Sequence, residues 1–232
     1  IYCLGDLVNF AGWDNEVIHL VRQSNIPTVQ GNHDEGIGFG KTTFPFSFSG
    51  AEQKAFGHAS ILKVDSVITG ANRAFLRNLP FSLQLECRYA FHSIRIHFTH
   101  GSPLSNNEYI EPNVPDDVLR ALLDSAGADI LLLGHTHRPF HQPVFQQKEN
   151  RLFYRHVINA GSVGKPKHGN PDACYVLLDF DDQIRMEEPA SLSVRFRYVP
   201  YDTDATLRHI HALGLGSAYD HFLRYGQPTS QA

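Results

Sequence analysis

Apolar positions along this chain alternate between helix-spaced sets and short strand-like runs. Val17, Ile18, Leu20 and Val21 repeat at helical spacing and predict a helix over 13–24. Leu119, Leu122 and Leu123 share one helical face. Pro115 and two acids open that segment and Gly127 follows it, which predicts a helix over 115–126 with both ends marked. Shorter helices are expected at 72–78, 205–213 and 219–225. Period-two alternation through Ser82-Leu83-Gln84-Leu85-Glu86 predicts a hairpin over 81–99. The unbroken apolar run Ile130-Leu131-Leu132-Leu133 predicts a strand buried on both faces. Further strands are expected at 28–30, 156–158, 175–180 and 194–198. The stretch 36–58 has no steady period and is expected to be an irregular excursion, with 36–80 serving as a cap or lid. Its phenylalanines, between 39 and 56, are expected to form local core rather than a base-stacking platform. With no internal repeat and no break in composition, 1–232 reads as one α/β domain.

Four strand ends share one design, an apolar run that stops abruptly in metal-donor residues and glycine. They are Leu4-Gly5-Asp6, Val29-Gln30-Gly31-Asn32-His33-Asp34, His97-Phe98-Thr99-His100-Gly101 and Leu132-Leu133-Gly134-His135-Thr136-His137. Ligands of open α/β sheets gather at the carboxyl ends of strands. Four such ends in one sheet would bring Asp6, Asn32, His100, His135 and His137 together. A carboxylate can bridge two cations, and Asp6 is the candidate bridge. Neutral imidazoles and an amide oxygen bind borderline metals without cancelling their charge. The remaining positive charge would acidify a bound water and attract a phosphate.

Composition sharpens this picture. The fourteen histidines supply more donors than a structural core needs, although those outside the four blocks are expected at the surface or satisfied within the core. A net charge of −4 argues against a broad nucleic-acid-binding face. Three scattered cysteines do not suggest a disulfide scaffold, and the expected compartment is the cytoplasm. No apolar run reaches the ~18 residues that span a bilayer, so no membrane partner is expected. A homo-oligomer is left open.

Gly5-Asp6-Leu7-Val8, Gly31-Asn32-His33-Asp34-Glu35, Thr99-His100-Gly101-Ser102-Pro103 and Gly134-His135-Thr136-His137 together resemble the calcineurin-like metallophosphoesterases. Ile158-Asn159-Ala160-Gly161-Ser162-Val163-Gly164 is similar to the small prokaryotic branch of that family. The agreement runs from Ile1 to Gly164 and is loose beyond. The resemblance implies a four-layer α/β sandwich, two mixed β-sheets flanked by helices. It also implies two divalent ions, manganese first, with iron, zinc, nickel or cobalt as alternatives. Asp6 matches the bridging ligand; Asn32, His100 and His135 match the rest of one ion's set, and His137 a ligand of the other. His33 matches the residue that assists the leaving group, with Asp34 orienting it, after in-line attack on phosphorus by a metal-bound hydroxide.

The family's first block, an Asp-x-His upstream of Gly-Asp, is missing from this sequence. The expectation is therefore a domain lacking its first strand and helix. The activity implied is that of a phosphatase acting on a small phosphorylated substrate, a nucleotide or a phosphoprotein. A phosphodiesterase or dinucleoside-polyphosphate hydrolase is the alternative within enzymes. A degenerate metal-binding scaffold, like the retromer subunit of the family, is the alternative outside them.

Overall fold

The computed structural model describes residues 1–41, 51–90, 92–148, 151–217 and 219–227. Its centre is a five-stranded mixed sheet. Strands β1 (Ser82–Arg88) and β2 (Ser93–Thr99) form the expected hairpin, in register from Ser82 opposite Thr99 to Arg88 opposite Ser93. Strand β3 (Ile130–Leu133) lies parallel to β2 and to β5 (Arg151–Asn159), and β4 (Phe140–Lys148) pairs antiparallel with β5 at the sheet edge. The order across the sheet is β1-β2-β3-β5-β4.

Alternation along these strands sorts their side chains to two faces. Leu131, Leu133, Val144 and Val157 pack against Leu119, Leu122 and Leu123 of helix α5 (Asp116–Ala126). Gly127 ends that helix at φ 58°, the left-handed turn that favours glycine. Ile94, Ile96, Phe98, Ile130, Leu132 and Ile158 face the other way. They meet Val176 and Leu178 of β6 (Ala173–Asp179) and Val194 and Phe196 of β7 (Ser193–Val199). Helices α1 (Asp14–Gln23), α2 (Asn32–Gly38), α3 (Ala51–Val67) and α4 (Gly70–Arg77) share a third cluster around Ile18, Ile37, Ile61 and Leu76. Helices α6 (Thr203–Ala212) and α7 (Asp220–Tyr225) close a fourth with Phe56, Leu207, Ile210 and Phe222. No helix among the described residues is long and apolar enough to cross a membrane.

This is the expected α/β architecture of two sheets flanked by helices, with three corrections. The second sheet among the described residues is an antiparallel hairpin, not a mixed sheet. The expected strand 28–30 is a single parallel bridge between Cys3 and Thr28. The irregular reading of 36–58 fails at both ends: α2 runs through Gly38, and α3 begins at residue 51 and buries Phe56, Ile61 and Val64; residues 42–50 of that stretch lie outside the described residues. Strand β4 had no sequence signal because Pro143 and three glutamines mask it, and a proline is tolerated there because β4 is an edge strand.

Candidate metal centre

Two glycine-containing loops cross beside the sheet, and the crossing explains both glycines. A Cβ on Gly5 would come within 2.4 Å of the Gly31 nitrogen, and one on Gly31 within 2.1 Å of Asp6 Oδ1. Gly5 and Asp6 both hold left-handed backbone, at φ 87° and 58°. The Asp34 carboxylate fastens the crossing by accepting the N–H groups of Asp6 (2.7 Å), Leu7 (2.8 Å) and Gly31 (2.9 Å). Asp34 thus caps α2 and braces the ligand loops through their backbones. The side chain at His33 Nδ1 is not Asp34, as expected, but Asn9, whose Nδ2 lies 2.9 Å away.

The crossing puts Asp6 and Asn32 opposite the ends of β2 and β3. His100, the residue after β2, donates from Nδ1 to the Leu4 carbonyl at 2.6 Å. Its Nε2 then faces Asn32 Oδ1 at 3.1 Å, Asp6 Oδ2 at 3.2 Å and His135 Nδ1 at 3.2 Å. One carboxylate oxygen, one amide oxygen and two ring nitrogens therefore converge on one point. Ligand atoms of Asp6, His100 and His135 all lie within 4.8 Å of one another. Among the described residues Asn32 Nδ2 and His135 Nε2 are buried there without a hydrogen-bond partner, an arrangement that buried polar groups otherwise avoid. A mixed nitrogen and oxygen set with inward-facing lone pairs fits a divalent transition metal.

His137 stands outside that group of three. It donates from Nδ1 to the Lys165 carbonyl at 2.7 Å, which leaves Nε2 as its coordinating atom. His135 and His137 both adopt positive φ, near 60°, and the turn that strains them is pinned by Asn159. Asn159 is fully buried and gives Nδ2 to the Gly134 carbonyl at 2.5 Å and to Thr136 Oγ1 at 3.1 Å.

The electrostatics keep His135 and His137 in ligand form. Burial, with His100 nearby, lowers His135 to about 4. Burial and the charges of Lys167 and Lys165 push His137 well below its ordinary value. Burial would lower His100 too, but Asp6 reverses it. Burial would raise Asp6, yet His100 and His33 hold it far below the carboxylate range. Burial and Asp6 together raise Asp34.

Sequence reasoning missed several residues at this site. Besides Asn9 and Asn159, Tyr109 lays its ring 4.2 Å from His135. Lys165 places its ammonium over Phe10 (4.4 Å), Tyr219 (3.8 Å) and Phe222 (5.1 Å) and donates to Tyr219 Oη at 2.6 Å, tying α7 to the site. The only sequence signal was proximity, since Asn9 and Lys165 lie just past two of the quoted blocks.

Residues 1–183 match the calcineurin-like phosphoesterase superfamily domain. The chain belongs to that superfamily. It is similar to the uncharacterized protein MJ0912 of Methanocaldococcus jannaschii, with 30% identity over 194 residues, 78% of this chain and 72% of that protein. Its fold is similar to that of a metallophosphoesterase from Sphaerobacter thermophilus, with a TM-score of 0.67 at 23% identity over 97% of this chain and 87% of that one. The same holds for the hypothetical protein PH1004 from Pyrococcus horikoshii OT3, with a TM-score of 0.70 at 19% identity over 98% and 86%. As a member of the superfamily the chain is a phosphoric ester hydrolase that depends on divalent metal. The superfamily match begins at Ile1 and so includes the loop that carries Asp6.

Proposed function

We propose that this phosphoesterase is a phosphatase acting on a small phosphate monoester, such as a nucleotide or a phosphorylated side chain. The convergence of Asp6 Oδ2, Asn32 Oδ1, His100 Nε2 and His135 Nδ1 carries the reading. These residues would hold one divalent ion, manganese first, and Asp6 with His137 would serve a second. When bound, such ions polarise the phosphoryl oxygens and acidify water. The chain's own residues do the rest. The crossing braced by Asp34 fixes Asp6 and Asn32 relative to each other, which pre-organises the donors. His33, whose backbone N–H binds Asp6 Oδ1 at 3.0 Å, stands beside the donor cluster, where it would assist the leaving oxygen.

The monoester preference is supported by charge. Lys167 interacts electrostatically with Asp6, His33, His135 and His137, so a cation adds to the field of the centre. A dianionic monoester gains more from such a field than a monoanionic diester. The free thiols Cys3, Cys87 and Cys174 support the cytoplasm as the place of work.

The test is to titrate Mn²⁺ into the full-length protein and compare hydrolysis of an aryl phosphate with that of a bis-aryl phosphodiester, with His33→Ala as control. Metal-dependent turnover of the monoester that drops in the variant is the expected result. Preferential turnover of the diester would replace the phosphatase with a phosphodiesterase. Stoichiometric metal without turnover of either ester would favour a scaffold.

A further inference from the structure

Asn9 stands three residues past Asp6, at φ 91°. Asparagine is among the few side chains that accept this left-handed backbone. Its amide is fixed at both ends. Oδ1 accepts the Phe10 backbone N–H at 2.9 Å and the Ser60 hydroxyl at 2.5 Å. A backbone N–H can only donate, so the oxygen and not the NH₂ must face it. Ser60 Oγ itself accepts the Phe10 N–H at 2.8 Å, so its own proton is available to Asn9. These contacts assign the two ends of the amide by chemistry.

The consequence falls on His33. Asn9 Nδ2 lies 2.9 Å from His33 Nδ1, and an amide NH₂ only donates. His33 Nδ1 must therefore present a lone pair, which leaves the ring proton on Nε2. Nε2 is also the nitrogen on the side of the donor cluster, 3.9 Å from Asp6 Oδ2. The Phe10 ring meets the imidazole edge-on at 5.1 Å and limits its rotation. A second proton on Nδ1 would set two donors face to face, so the network disfavours the imidazolium.

We propose that Asn9, itself held by Ser60 and the Phe10 amide, is a positioning residue that locks His33 as the neutral Nε2–H tautomer. His33 then assists departure by a hydrogen bond from Nε2–H to the leaving oxygen and not by giving up its proton. No N–H bond breaks in that role; the P–O bond breaks, and the leaving oxygen collects its proton from solvent. Neutral imidazole as an electrophile is a recognised catalytic mode. The inference rests on the reading of His33 as the leaving-group residue.

The decisive measurement is ¹⁵N NMR of the His33 ring at neutral pH, on metal-free and Zn²⁺-loaded protein. The expected spectrum shows an unprotonated Nδ1 and a protonated Nε2. Asn9→Asp keeps the shape and tolerates positive φ but presents an acceptor, so it should move the proton to Nδ1. Asn9→Gly keeps the backbone and removes the amide. It should leave the tautomers mixed and lower kcat by about tenfold for a monoester with a poor leaving group, with KM unchanged and a smaller effect for a good leaving group. A protonated Nδ1 in the wild type, or an unchanged tautomer in Asn9→Asp, would overturn the lock. An unchanged kcat in Asn9→Gly with the tautomers released would overturn its role in catalysis. Failure of the phosphatase reading shows separately, as absence of monoester hydrolysis by the wild type.

Discussion

His141 and His156 meet at 2.9 Å between Nε2 and Nδ1, and His100 and His135 meet at 3.2 Å between Nε2 and Nδ1. The two contacts look alike, and both pairs are set on strands of the central sheet or just past their ends. Their surroundings separate them. The ring of His141 lies nearly parallel to that of His156, and one neutral ring donates while the other accepts, so the two nitrogens that meet satisfy each other. In the other pair the shared nitrogen of His100 also faces a carboxylate and an amide oxygen, and His135 Nε2 is buried without a partner among the described residues. Buried histidines that close on each other stabilise a fold. Buried acceptors aimed at a common point are tolerable only with a cation or proton between them.

The sharpest way to break this distinction is Asp6→Asn, which removes the charge but keeps the shape. It should lower metal affinity and activity by more than about 100-fold, since even residues that merely support metal ligands are worth about 10- to 100-fold. Metal content by mass spectrometry checks it. His156→Phe should leave metal content unchanged, and an equal loss in both variants would erase the contrast between the pairs.

Asn159→Ala comes next. It removes the two hydrogen bonds that pin the turn carrying His135 and His137. Unfolding in urea should show a loss of about 2 kcal/mol for the stranded buried groups. Metal affinity should fall by about tenfold, because the ligands lose their support. Retention of full metal affinity would show that the turn holds itself.

The self-satisfied pair should announce itself through pH. Burial, and then His141, lowers His156 to about 4, below the ordinary 6.5 of an unfolded chain. The unfolded state therefore binds the proton first, and stability present above about pH 6.5 falls as pH drops toward about 4. At about pH 5 the loss from His156 is about 2 kcal/mol. Thermal unfolding of wild type against His141→Phe/His156→Phe, at about pH 7 and about pH 5, isolates this share from that of the metal cluster. An identical pH dependence in both proteins would mean that the pair does not stay neutral.

The smallest effect is expected from Lys167→Met. It should raise KM for a monoester by about threefold and leave that for a diester nearly unchanged, if the lysine acts through its field. Equal changes for both esters would remove the electrostatic support for the phosphatase reading.

The amino-acid sequence by itself marked most of the secondary structure and most of the donors. Helix α5 was legible because its caps and apolar face agree, and β3 because four apolar residues in a row end at a glycine. Asp6, Asn32, His100 and His135 were legible because each lies where an apolar run gives way to a glycine-containing loop, and such breaks are local features. The second sheet's antiparallel pairing, the edge strand β4 and the helical start of α3 were not legible, since their patterns are weak until neighbours bury one face. Only the tertiary structure could decide which partner each polar group meets. It gave Asp34 to the backbones of the crossing loops, gave Asn9 to His33, and told the two histidine pairs apart. Those outcomes depend on contacts between residues such as Asn9 and Ser60, 51 positions apart, and Leu4 and His100, 96 apart, which no local pattern encodes.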